Sequence, residues 1–201
     1  GLTCILLVML VYALVQVVRA RRRHRAVLAL VSRKDSAVPG TLVLDHPGAA
    51  AYCVPGVRSA KVVVSAGTLE LLDRDELAAV VAHERAHARE RHDLVLLPFA
   101  SLRHVFPQFR LVTRCLDAVE LLIEMAADDR ARTGRSSRDL ATALLRFAAA
   151  RPAAAPSGTL GVVAHGNVSV MARVNRLLEP EPMSRPARVA AMAAVPVIAV
   201  L

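Results

Sequence analysis

Five consecutive residues, His83-Glu84-Arg85-Ala86-His87, have the types and the spacing of a hydrolytic metal site. On an α-helix, positions i and i+4 lie on one face, so both imidazoles can reach a single ion. Two neutral imidazoles plus a carboxylate suit zinc and leave one coordination position open. Glu84 follows the first ligand and can lie beside a water at that position. Its expected role is general base, taking the proton of the water that attacks a carbonyl.

Such a site needs a third ligand. The candidates are Glu120, Glu124, Asp128, Asp129, His92, His104 and His165. Glu124 and Asp128 are spaced i, i+4, so one can bind the metal while the other holds the distal N–H of a ligand imidazole. An acidic solvated face explains the same pair equally well. His92 lies five residues beyond His87, off the ligand face, which suggests a structural role or a substrate contact. His104 and His165 read as surface or core histidines.

A helix must carry the motif, and the residues before it contain the start signal. Asp73 with Glu76 three residues later is a capping-box pattern, and the helix is expected to run to about Arg91 or His92. Upstream, Thr41 to Leu44, Ala50 to Val54 and the β-branched run Lys61 to Ser65 read as short strands, and Leu69 to Leu72 as a short helix. Downstream, Pro98 and Pro107 frame a whole or broken helix beside the membrane. Further helices are expected over Leu111 to Thr133, from Ser137 through Ala150, and over Val168 to Leu178. Residues 151–167, rich in Ala, Pro and Gly, read as a flexible loop.

The flanks have a different character. Residues Gly1 to Val18 carry no charge, and Arg19, Arg21, Arg22, Arg23 and Arg25 crowd directly behind them. A secretory leader has its basic residues ahead of the apolar run, so an anchor fits better: a transmembrane helix over 1–18, then a basic juxtamembrane linker over 19–40, with the following domain on the cytoplasmic side. Val189 to Leu201 reads as the truncated start of a further membrane helix. The chain opens on Gly, so it is expected to be cut from a longer, multi-pass protein of the cell membrane. The net charge of +9 is explained by the positive-inside arginines, with no nucleic-acid motif and no direct nucleic-acid binding expected. Three unpaired-looking cysteines, Cys4, Cys53 and Cys115, argue against a disulfide framework.

The runs Ala50-Ala51-Tyr52-Cys53-Val54-Pro55-Gly56, Lys61-Val62-Val63-Val64-Ser65 and Asp75 to His87, with Glu124-Met125-Ala126-Ala127-Asp128 downstream, resemble the M56 metallopeptidases. These are the relatives of the BlaR/MecR antibiotic-sensor proteases. The likeness extends more distantly to the M48 (Ste24/HtpX-like) peptidases. It covers about Leu42 to Arg132. It implies an α+β fold, a mainly helical zincin-like (gluzincin) domain with a small β-sheet, spanning about 41–180 and flanked by transmembrane helices. It makes Glu124 the third zinc ligand and Asp128 the partner of a ligand histidine. It also makes Lys61 to Ser65 an edge strand, whose Val62, Val63, Val64 and Ser65 would pair with an extended substrate. The sensor members carry a penicillin-binding domain. No Ser-x-x-Lys motif occurs here, so β-lactam sensing by this chain is not expected.

The expectation is therefore a membrane-anchored, Zn2+-dependent endopeptidase acting on a protein or peptide, with a transcriptional repressor as one candidate substrate. The alternative is a non-catalytic metal-binding signalling or scaffold module, which a fourth protein ligand closing the site would favour.

Overall fold

The structure, a computed structural model, describes residues 2–34, 40–54, 60–133, 135–150, 160–161 and 167–179. In chain order the elements are α1 (Leu2–Val31), β1 (Ser32–Lys34), β2 (Thr41–Leu44), β3 (Ala51–Val54), β4 (Lys61–Ser65), α2 (Ala66–Leu71), α3 (Arg74–Glu90), α4 (His92–Val105), α5 (Arg110–Ala131), α6 (Ser137–Ala149), β5 (Leu160–Gly161) and α7 (Asn167–Leu178). The fold is α+β, mainly helical with one small sheet.

The strands lie in the order β1-β2-β4-β3-β5. β2 runs parallel to β4, and the other neighbours are antiparallel. Alternation along the strands splits the apolar residues between two faces. Val43, Ala51 and Val64 join a core shared with Val80 of α3, Leu144 and Phe147 of α6 and Val174 and Leu177 of α7. Tyr52, Val54 and Val63 form a separate cluster on the opposite face. A third cluster, Leu96, Leu116, Val119 and Ile123, joins α4 to α5.

β4 is not an edge strand. Val62 and Val63 are matched with Thr41 and Leu42 of β2 on one side and with Cys53 and Tyr52 of β3 on the other. A strand paired on both sides has no free ladder to offer, so the expected substrate strand over Val62, Val63, Val64 and Ser65 is corrected to sheet interior. β-branched residues buried on both faces give such an interior strand the same signature as an apolar edge strand.

The helix boundaries follow local chemistry. The Asp73 carboxylate accepts from the N–H groups of Asp75 and Glu76, and the Glu76 carboxylate accepts from Asp73 N–H, which completes the capping box at the start of α3. α3 ends at Glu90 because Arg91 takes a left-handed conformation, φ 54° and ψ 40°, and α4 begins directly after it. That single residue redirects the chain and separates His92 from the helix that carries the motif. α6 is capped by Ser136, whose hydroxyl accepts from Arg138 N–H.

The N-terminal flank differs from expectation. α1 continues unbroken from the apolar residues through the arginines to Val31, and β1 follows, so no separate linker occupies 19–34. Among the described residues, no helix is long and apolar enough to cross a membrane. Leu7, Val8, Met9, Val11, Tyr12, Leu14 and Val15 of α1 are nonetheless exposed. The expected loop over 151–167 contains β5, which pairs with Tyr52 and Cys53 of β3, and its last residue begins α7. The rest of that loop, His165 and the run Val189 to Leu201 lie outside the described residues.

Candidate metal centre

α3 and α5 pack against each other, and their contact encloses the motif. His83, Glu84 and His87 are all buried on the inner face of α3, and Glu124 and Asp128 are buried on α5. The Nε2 atoms of His83 and His87 are 3.0 Å apart. Glu124 brings Oε2 to 3.3 Å from His83 Nε2 and Oε1 to 3.3 Å from His87 Nε2. Among the described residues these three form the one group able to hold a metal ion, with candidate ligand atoms all within 4.8 Å of one another.

The contacts behind the imidazoles assign their tautomers. His83 Nδ1 lies 2.9 Å from Asp128 Oδ1, a charge contact not aligned as a hydrogen bond, and a carboxylate there favours the proton on Nδ1, which leaves Nε2 with a lone pair. His87 Nδ1 faces His92 Nδ1 at 3.0 Å, while His92 Nε2 faces Glu90 Oε2 at 3.1 Å. The Glu90 carboxylate claims the His92 proton at Nε2, leaving His92 Nδ1 as acceptor and His87 Nδ1–H as donor. His87 Nε2 is then also a lone pair. Two lone pairs and a carboxylate, buried at contact distance, repel one another unless a cation lies among them. Neither Glu124 oxygen accepts an aligned hydrogen bond that would discharge it otherwise. The residues present therefore fit a metal ion, and a His–His–Glu donor set with neutral imidazoles is one that zinc takes.

The electrostatics make the same demand. Burial alone lowers the pKa of His83, but the Asp128 and Glu124 carboxylates beside it outweigh burial and raise it to about 9. Without a metal, a proton takes the cation's place. Burial pushes Glu124 and Asp128 up, yet Arg173 and the histidines hold both below their ordinary values. His92 falls to about 4 through burial and the neighbouring His87, which is consistent with a neutral His92 accepting at Nδ1.

Six of the seven candidates for the third ligand are now sorted, and the seventh, His165, lies outside the described residues. Glu124 joins the two histidines. Asp128 stands behind His83. Asp129 instead faces Arg176 at 2.8 and 2.7 Å, and Arg132 at 3.2 Å. Glu120 is half-buried on α5 outside the group, and His104 is exposed on α4. His92 does not join this group but backs His87 through its Nδ1, from a position that the turn at Arg91 makes possible.

The larger omission in the sequence reading is Arg173. It is fully buried on α7 and reaches both carboxylates of the site. The available signal was a pair of arginines, Arg173 and Arg176, one turn apart on an amphipathic helix, opposite the adjacent Asp128 and Asp129. Glu90 completes the other arm, accepting from Arg130 Nε at 2.6 Å.

Comparison with known proteins gives the family. The profile of Peptidase family M48 matches residues 18–156. A relative, the Protease HtpX homolog of Salinibacter ruber (strain DSM 13855 / M31), is 38% identical over 81 residues, which is 39% of this chain and 29% of that protein. The matched part thus spans less than a third of that relative's length. Of the two families that the motifs resemble, the matching one is the one named as the more distant likeness.

Proposed function

From a chain that belongs to peptidase family M48, we propose a zinc-dependent endopeptidase that cleaves a protein substrate at the membrane, with His83, His87 and Glu124 as the metal ligands and Glu84 as the general base. The observation that carries this reading is the buried convergence of two imidazole lone pairs and a carboxylate one residue away from a second buried carboxylate, Glu84. Zinc held by His83, His87 and Glu124 would supply a Lewis acid that polarises the scissile carbonyl and acidifies the attacking water.

The remaining steps belong to the chain's own residues. Glu84 takes the proton of the attacking water and returns it to the leaving amine. Asp128 and His92 hold the ligand imidazoles with Nε2 inward. The group contains three protein ligands and, among the described residues, no fourth, which favours an open catalytic position over the closed site of a scaffold module.

Membrane association rests on the exposed apolar half of α1, whose uncovered large side chains suit lipid better than water. The arginines that follow support a peptidase domain on the cytoplasmic side. A transcriptional repressor as substrate rests on the M56 resemblance alone and is one candidate among protein substrates.

The test is direct. Metal analysis of the purified chain is expected to find one zinc, lost in His83→Ala. Glu84→Gln is expected to keep the zinc and lose cleavage of an unstructured protein such as casein, by roughly 100-fold or more. A Glu84→Gln variant with full activity overturns the assignment.

A further inference from the structure

α7 reaches the centre through one side chain. Every nitrogen of the buried Arg173 guanidinium faces a carboxylate oxygen of α5. Nε donates to Asp128 Oδ2 at 2.8 Å and Nη2 donates to Asp128 Oδ1 at 2.7 Å. Nη1 lies 2.8 Å from Glu124 Oε2, an ion pair not aligned as a hydrogen bond. The same Asp128 Oδ1 faces His83 Nδ1 at 2.9 Å. One fork therefore touches a metal ligand and the residue that orients another. The charges balance as well. Glu84, Glu124 and Asp128 are three buried carboxylates, matched by one divalent ion and one guanidinium.

We propose that Arg173 is a positioning residue of the metal centre: its planar fork holds Glu124 and Asp128 at one fixed spacing, so that zinc meets ligands already in place, and α7 thereby becomes part of the site. This rests on the zinc-site reading given above. Lysine cannot do the same, because a single ammonium on a flexible stem cannot span two carboxylates with set directions. Arg176 supplies the internal control. It sits on the same helix and makes the same two-pronged contact, at 2.8 and 2.7 Å, with Asp129 of α5. It ties α7 to α5 without touching a ligand or a ligand's partner.

The experiment compares the full chain with its Arg173→Lys, Arg173→Gln and Arg176→Lys variants. Zinc affinity is read by competition with a chromophoric chelator, ligand geometry by the visible absorption of the cobalt-substituted protein, and folding by the circular dichroism of the metal-free and zinc-saturated forms. Arg173→Lys is expected to keep its helix content, to bind zinc roughly 10–100-fold more weakly and to shift the cobalt bands. Arg173→Gln is expected to lose more. Arg176→Lys is expected to match the wild type in affinity and spectrum. Wild-type affinity in Arg173→Lys overturns the proposal. So does an equal loss in Arg176→Lys, which would assign the effect to helix docking, and so does an Arg173→Lys chain that fails to fold at saturating zinc. A wild-type chain that binds no zinc overturns the zinc-site reading itself, an outcome distinct from the other three.

Discussion

The Nδ1 atoms of His87 and His92 lie 3.0 Å apart, with both rings buried and crossed at 81°. The imidazole of His87, a proposed ligand, is here backed by a second imidazole, which is in turn backed by the Glu90–Arg130 ion pair. The two proposed ligand histidines are thus oriented by different chemistries: His83 by a carboxylate, His87 by a neutral ring. Replacing His92 by Phe keeps a ring and removes the acceptor, leaving His87 free to carry its proton on either nitrogen. Zinc affinity is expected to fall roughly 10–100-fold, as measured by chelator competition. An unchanged affinity would show that His87 needs no partner.

The metal-free chain is expected to have a stability maximum near pH 6.5. Glu124 and Asp128 have folded pKa values below their ordinary 4.5 and 3.8, so their contribution is present above those values and is lost as pH falls through the folded ones. His92, lowered from 6.5 to about 4, favours the fold above 6.5 and loses that preference towards pH 4. His83, raised from 6.5 to about 9, contributes fully below 6.5 and loses its contribution as pH rises through 9. Melting curves with a chelator present should therefore decline on both sides. Added zinc should remove the alkaline decline, since the ion replaces the His83 proton. A metal-free melting temperature that stays flat from pH 6.5 to 9 contradicts this account.

Asp73→Ala removes the cap of the helix that carries both histidines and Glu84. The expected cost is about 1 kcal/mol in urea denaturation. Zinc binding should survive, because the site lies three turns further along α3, held by α5. A loss of zinc in the folded variant would mean that the helix start and the site are coupled.

Gly67 is held by crowding rather than by backbone conformation. A Cβ built there would stand 2.0 Å from the carbonyl oxygen of Pro47, where the first turn of α2 meets the bend at Pro47 and Gly48 and Gly67 N–H donates to His46 O at 3.0 Å. Gly67→Ala must displace backbone and should cost at least about 1–3 kcal/mol. Denaturation midpoints test this, and a variant as stable as the wild type would show that the turn opens freely.

Much of the site was legible before any fold was known. The i, i+4 histidines, the carboxylate between them and the capping box ahead of them are local patterns, set by helix geometry within one element. Glu124 and Asp128 share a face for the same reason, although choosing the ligand between them required the family likeness. The strands at 41–44, 51–54 and 61–65 and the helices around them were also readable from alternation and punctuation.

Pairing and distance were not. Whether Lys61 to Ser65 lies at an edge depends on which strands flank it, and β2 and β3 both do. His92 looked misplaced because helical periodicity was carried through Arg91, where the backbone turns left-handed. The sequence by itself determined the reactive groups and the helix that presents them, since those follow from side-chain chemistry and a 3.6-residue period. Only the tertiary structure decided what surrounds them: Arg173, 45 residues beyond Asp128, closes the site from another helix, and local sequence carries no record of a contact made by packing.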